Sequence, residues 1–241
     1  MDYQNVFERY EYKYFLTQAQ KRELLEETGG RLLLDQYGRT IIRNIYYDTD
    51  SYRLIRDSME HPVYKEKLRV RSYQRVNGSD MVFVEIKKKF EDVVYKRRIA
   101  IPKVSAENWI DKGMAIPFKS QITSEIDYFL DFYKGIEAKA FLSYEREAYT
   151  DKYNPEFRLT LDENILARDS DLDLGSDIWG ESLLPRGTTL MEVKIAGAMP
   201  IWMAHFLSKN TIPKISYSKY GTYYKEFLMT NQYPERSVFY A

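Results

Sequence analysis

The chain has 241 residues, enough to bury a sizeable core, and its 36 Lys and Arg balance 36 Asp and Glu, which argues against a long nucleic-acid duplex as partner. With no cysteine and only His61 and His205, it has no disulfide framework, thiolate metal site or multi-histidine metal site, and histidine-based acid–base catalysis is disfavoured. No signal-peptide pattern and no apolar run of transmembrane length stands out, so a soluble, cytoplasmic protein without a membrane segment is expected.

In chain order, Phe7 to Tyr14 alternates, with Arg9, Glu11 and Lys13 on one face and Tyr10, Tyr12 and Tyr14 on the other. Thr17-Gln18-Ala19-Gln20 reads as a capping box that opens a helix, which Gly29-Gly30 stops. Thr40 to Asp48 reads as a strand on which the facing of Arg43 is open, and Asp50 or Ser51 is expected to cap a short helix. Lys65-Glu66-Lys67-Leu68-Arg69-Val70-Arg71 then places four basic residues at every second position, with Leu68 and Val70 between them. Asn77-Gly78 signals a hairpin, Met81 to Lys89 and Val94 to Ile101 read as strands, and Glu91-Asp92 as the tight connection between them. Ser105 is expected to cap a short helix holding Trp109, and Gln121 to Tyr133 is an amphipathic helix. Lys139 to Tyr149, Phe157 to Glu163 and Thr188 to Ile195 read as strands. Ala167 to Arg186 reads as an acidic surface loop, Met199 to Ser208 as a helix and Tyr220 to Leu228 as the last helix. No linker divides the chain, so one α+β domain over residues 1–241 is expected.

The strand parities repeat one message. Side chains in a strand alternate faces. Lys65, Lys67, Arg69 and Arg71 therefore share a face, as do Glu85 and Lys87, Lys96 and Arg98, Tyr144 and Arg146, Arg158, Thr160 and Asp162, and Glu192 and Lys194. Like charges in such rows repel, and a small, densely charged anion relieves them. Lys65 reads as a rim or solvent charge, Trp109 and Trp202 as helix-packing residues, His61 as a turn residue, and His205 as a helix-surface or packing residue.

Arg9-Tyr-Glu-Tyr-Lys13, Ile45-Tyr-Tyr-Asp-Thr49, Lys67-Leu-Arg-Val-Arg71, Val84-Glu-Ile-Lys87, Tyr95-Lys-Arg-Arg98, Ser143-Tyr-Glu-Arg146, Arg158-Leu-Thr-Leu-Asp162, Met191-Glu-Val-Lys194 and Ser218-Lys-Tyr-Gly221 follow one another in order. Together they resemble the polyphosphate polymerase domain of the vacuolar transporter chaperone (VTC) family, in the CYTH or triphosphate tunnel metalloenzyme superfamily. Arg9 stands where the superfamily's Glu-x-Glu-x-Lys opening has its first carboxylate, which matches the VTC branch and argues against a two-metal hydrolase.

The resemblance implies an antiparallel β-barrel tunnel of about eight strands with flanking helices. It implies ATP or another nucleoside triphosphate and polyphosphate as ligands, with Mn²⁺ or Mg²⁺. Catalytic and phosphate-binding roles carry over to Lys13, Arg69, Arg71, Lys87, Arg146, Arg158 and Lys194, and phosphate binding also to Lys96 and Lys219. Lys67, Arg98 and Lys214 join them by parity or position. Glu192 is implied as the metal ligand, with Glu11, Glu85 or Asp162 as neighbours; Glu11, Glu85 and Glu192 also read as partners that neutralise the cations. Three activities fit: a polymerase passing the γ-phosphate of ATP to a polyphosphate chain, a tripolyphosphatase or nucleoside triphosphatase, and a non-catalytic polyphosphate sensor.

Overall fold

Strand β4 (Tyr64–Ser72) shows how the alternation becomes architecture: Glu66, Leu68 and Val70 are buried on one parity, while Lys65, Lys67 and Arg69 stay half-exposed on the other. In β5 (Met81–Phe90) the apolar parity is Val82, Val84 and Ile86, all fully buried. Each such side chain is worth about 1.5–3 kcal/mol of burial, and this offsets the repulsion along the charged face. The computed structural model describes residues 10–60, 62–91, 93–116 and 118–229; Arg9, His61 and Asp92 lie outside the described residues.

The remaining strands are β1 (Tyr10–Thr17), β2 (Leu32–Leu34), β3 (Thr40–Asp48), β6 (Val93–Pro102), β7 (Glu137–Asp151), β8 (Asn154–Arg168), β9 (Glu181–Ser182) and β10 (Thr188–Ile195). The helices are α1 (Gln18–Glu27), α2 (Arg53–Met59), α3 (Lys103–Ile110), α4 (Gln121–Tyr133), α5 (Ile201–Lys209) and α6 (Lys219–Tyr223), which runs on into a π-helical turn over Tyr224–Leu228. In hydrogen-bond order the strands run β1-β10-β8-β7-β3-β4-β5-β6, with β2 on β7 and β9 on β8. The pairs β1–β10, β10–β8, β3–β4, β4–β5 and β5–β6 are antiparallel, as expected for this α+β class.

The chain divides into two compact units, each discontinuous in sequence. The first holds residues through Ile41, Tyr144–Ile165 and Leu184–Tyr217; the second holds Ile42–Ser143, Leu166–Leu183 and the chain from Ser218. In the first unit, Tyr14, Leu16, Leu24, Phe157, Leu159, Met191, Val193, Met203 and Phe206 form the core, so α1 and α5 cover the apolar parity of β1, β8 and β10. In the second, Leu68, Val70, Val82, Val84 and Ile86 pack with Trp109, Ile126, Phe129 and Phe141 under α3 and α4.

Local signals held in part. The Thr17–Gln20 capping box forms as expected. The cap of α2 comes from elsewhere than Asp50 or Ser51: the Asp48 carboxylate accepts from the Leu54 and Ile55 amides, and the Thr49 hydroxyl accepts from Arg53 N–H. Ser105 lies inside α3, which begins one residue after Pro102. Asn77-Gly78 sits within a longer connection between β4 and β5 rather than forming a two-residue hairpin. The acidic segment after β8 is tied down by buried Arg168, whose guanidinium donates to the carbonyls of Ser170, Asp171, Asp177 and Trp179 and lies 3.8 Å from the Phe141 ring centroid. Arg43 faces this segment too, donating to Leu174 and Ser176 carbonyls.

Candidate functional site

In the second unit the register of β4, β5 and β6 lines cations up across strands. Lys67 stands opposite Lys87, which stands opposite Lys96; Arg69, Glu85 and Arg98 form the next row, and Lys65 faces Lys89. With Arg71, the described residues that β4, β5 and β6 put on this face are eight cations (Lys65, Lys67, Arg69, Arg71, Lys87, Lys89, Lys96, Arg98) and one carboxylate, Glu85. Like charges placed directly opposite one another destabilise a sheet, so packing does not account for the row.

Glu85 is 1% exposed and holds two of these cations: Arg69 Nη2 and Lys96 Nζ each lie 2.7 Å from one of its oxygens. Burial pushes the Glu85 carboxyl up, but Arg69, Arg71 and Lys96 outweigh it and bring it down to about 2. Lys96 moves down to about 8, because its own desolvation and the nearby arginines exceed the pull of Glu85. Glu85 is thus built in as the counter-ion of the row.

Strand β3 adds two residues that sequence reasoning did not single out. Tyr46 stands opposite Arg69 and Asn44 opposite Arg71. The Tyr46 hydroxyl accepts from Arg69 Nη1 at 3.1 Å, and the Asn44 side-chain carbonyl accepts from Arg71 Nε at 2.8 Å. Asn44 in turn donates to the Leu142 carbonyl. The signal was available: once β3 pairs with β4, its even positions fall on the cationic face. Lys65 donates to the Ser58 carbonyl at the end of α2, in keeping with a rim residue. Arg98 lies 4.9 Å from the Phe83 ring centroid, and Lys219 opens α6 behind the Ser218 cap.

The first unit gathers the other charged parity. Lys13 is opposite Glu192, Glu192 opposite Thr160, Glu11 opposite Lys194, and Lys194 opposite Arg158. Arg146 grips Asp162 with two hydrogen bonds of 2.6 Å, and its Nη2 lies 3.6 Å from Glu192 Oε2. Burial opposes the Arg146 charge, but Tyr144, Asp162 and Glu192 raise its pKa well above the ordinary value. Glu11 is engaged by Lys13 at 3.2 Å and Lys194 at 3.8 Å, while Lys13 Nζ also donates to the Tyr217 carbonyl. Lys214 is set apart: its ammonium lies 4.8 Å from the Tyr12 ring centroid, on the parity opposite Lys13.

Could these residues hold a divalent cation? Among the described residues no group of three His, Asp or Glu side chains is placed to chelate one alone. Glu192 is 8% exposed, and across the strand pair from it the Thr160 hydroxyl is buried without a hydrogen-bond partner. One buried carboxylate beside an orphaned hydroxyl suits a hard cation that keeps water and takes phosphate oxygens from its substrate. The donor set is therefore of the kind that suits a hard divalent cation at Glu192 whose other ligands come from outside these side chains.

The antiparallel strand path with flanking helices is an α+β fold that solved structures share, and among the described residues β1 and β6 end the hydrogen-bonded path, where the resemblance implied a closed barrel. A candidate adenylate cyclase from Bacillus halodurans superposes with a TM-score of 0.54 at 14% identity, over 86% of this chain and 92% of that one. A candidate adenylyl cyclase from Hippeastrum, described as having a dominant triphosphatase activity, superposes with a TM-score of 0.55 at 15% identity, over 90% and 96%. No curated protein sequence matches significantly. The VTC domain model matches residues 8–228, and the chain belongs to that family.

Proposed function

We propose that the chain is a polyphosphate polymerase-type phosphotransferase that binds ATP or another nucleoside triphosphate, and polyphosphate, through their phosphates. The carrying observation is the Lys67–Lys87–Lys96 row beside Arg69, Arg71 and Arg98, with a single carboxylate among them. Phosphoryl transfer asks mostly for positioning and charge neutralisation, and Arg and Lys rows supply charge-assisted hydrogen bonds for both. Within the first unit by itself, Lys13, Arg146, Arg158 and Lys194 form a phosphate-binding set of their own, and Glu192 with Thr160 would hold Mn²⁺ or Mg²⁺ there. Glu11 tempers Lys13 and Lys194. The bound cation supplies charge neutralisation on phosphate oxygens. In the transfer itself a terminal oxygen of the polyphosphate chain attacks the γ-phosphorus. The bond between that phosphorus and the β,γ-bridging oxygen breaks, nucleoside diphosphate leaves, and the chain is one phosphate longer.

Water in place of the chain end gives a triphosphatase, a reading favoured by the activity described for the Hippeastrum protein. Incubation with ATP and Mn²⁺, resolving polyphosphate from free phosphate, separates the two. Chain growth matched to ADP supports the polymerase; stoichiometric free phosphate without polymer supports hydrolysis.

A further inference from the structure

Tyr46 sits at the centre of a chain of contacts within the second unit. Its hydroxyl accepts from Arg69 Nη1, while the same guanidinium donates through Nε and Nη2 to Glu85. Its ring is stacked on Tyr220, with centroids 4.9 Å apart and planes within 19°. The Tyr220 hydroxyl donates to Asp48, whose carboxylate is fixed by the first amides of α2. Arg69 is therefore held on two sides, by a carboxylate and by a phenol that has little freedom of its own.

We propose that Tyr46 is a positioning residue for Arg69: its hydroxyl sets the guanidinium plane, and its proton responds to the anion held there. This rests on the reading that Arg69 binds phosphate. The charged and titratable surroundings are Lys67, Arg69 and Arg71 on β4, Glu85 on β5 and Lys96 on β6 behind Arg69, Asp48 on β3 itself, and Tyr220 on α6. Burial raises the phenols of Tyr14, Tyr47, Tyr64, Tyr133 and Tyr220. Burial acts on Tyr46 the same way, yet Arg69, Arg71 and Lys67 overcome it and bring that phenol down to about 8. A phosphate on Arg69 cancels part of that pull, so anion binding must raise the Tyr46 phenol, and ionising the phenol must weaken anion binding.

The test is a tyrosinate-absorbance titration between about pH 6 and 10, with and without tripolyphosphate, paired with calorimetry at neutral pH. Lys96 titrates in the same range but is silent in tyrosinate absorbance. The wild type should show one early tyrosinate component that moves upward with tripolyphosphate and is missing from Tyr46→Phe. Tyr46→Phe should bind tripolyphosphate about tenfold more weakly, the scale of one hydrogen bond to a charged group, with unchanged thermal unfolding. Tyr220→Phe, which keeps the stack, should bind with a smaller loss. An early component that ignores tripolyphosphate, or Tyr46→Phe binding as the wild type does, overturns the proposal. Should Tyr46→Phe fail to fold, the shift in the wild type still decides. Tripolyphosphate that does not bind the wild type, or that binds Arg69→Ala equally well, overturns the phosphate-site reading and this proposal with it.

Discussion

Glu85 shows at the scale of a residue how stability and binding are set against each other. Its carboxyl stands at about 2 against an ordinary 4.5, which corresponds to about 3 kcal/mol of folded-state stabilisation. Because the folded value is depressed, that contribution is complete above the ordinary value and is lost as pH falls from 4.5 through about 2. Glu85→Gln should therefore be less stable at neutral pH by about 3 kcal/mol and show a flatter loss of stability in acid, by urea unfolding at several pH values. Tripolyphosphate should restore much of the loss, since it replaces the missing counter-charge. The shared faces of Lys13, Arg69, Lys87, Lys96, Arg146 and Lys194 were legible as parity in the sequence, and their proposed roles came from the family resemblance. The part of Tyr46 was not: a phenol on a charged face carries no charge pattern, and its importance appears only when the register shows what stands opposite.

The element on which the phosphate reading rests is β4. Arg69→Ala and Arg71→Ala should each weaken tripolyphosphate binding at least tenfold by calorimetry, whereas Lys65→Ala, whose ammonium serves the end of α2, should change it little. Equal loss at all three positions would contradict a specific row. Arg69→Ala should also lose some stability, because Glu85 then keeps only Lys96 of its two close cation partners. At the start of α1, Thr17→Ala should cost about 1 kcal/mol in chemical unfolding and leave tripolyphosphate affinity unchanged. Regular alternation and the Thr17 capping box were readable because both are local. β2 was missed since three leucines carry no period. The α2 cap was misplaced because it comes from Asp48 in the preceding strand. The segment after β8 read as a simple acidic loop because the arginines that organise it, Arg43 and Arg168, satisfy backbone carbonyls that no sequence pattern reveals.

Across the whole molecule, zero net charge conceals strongly basic strand faces whose balancing acids lie elsewhere in the sequence. Binding through such faces should weaken as salt rises, because screening acts on exposed charge. Strands β7 and β8 each contribute residues to both compact units, and the VTC match spans residues 8–228. Among the described residues no helix is long and apolar enough to cross a membrane. The proposed chemistry is metal-assisted phosphoryl transfer with Glu192 as the protein's cation ligand. The deciding measurement is ATP consumption against Mn²⁺ concentration in the wild type and in Glu192→Gln, with metal-free tripolyphosphate binding measured alongside. Glu192→Gln should lose metal-dependent turnover while binding tripolyphosphate at least as tightly, since a negative charge has left the neighbourhood of Arg146 and Lys13. Wild-type turnover in Glu192→Gln at saturating Mn²⁺ would contradict it, and Glu192 would then be only a neutralising partner for Arg146 and Lys13.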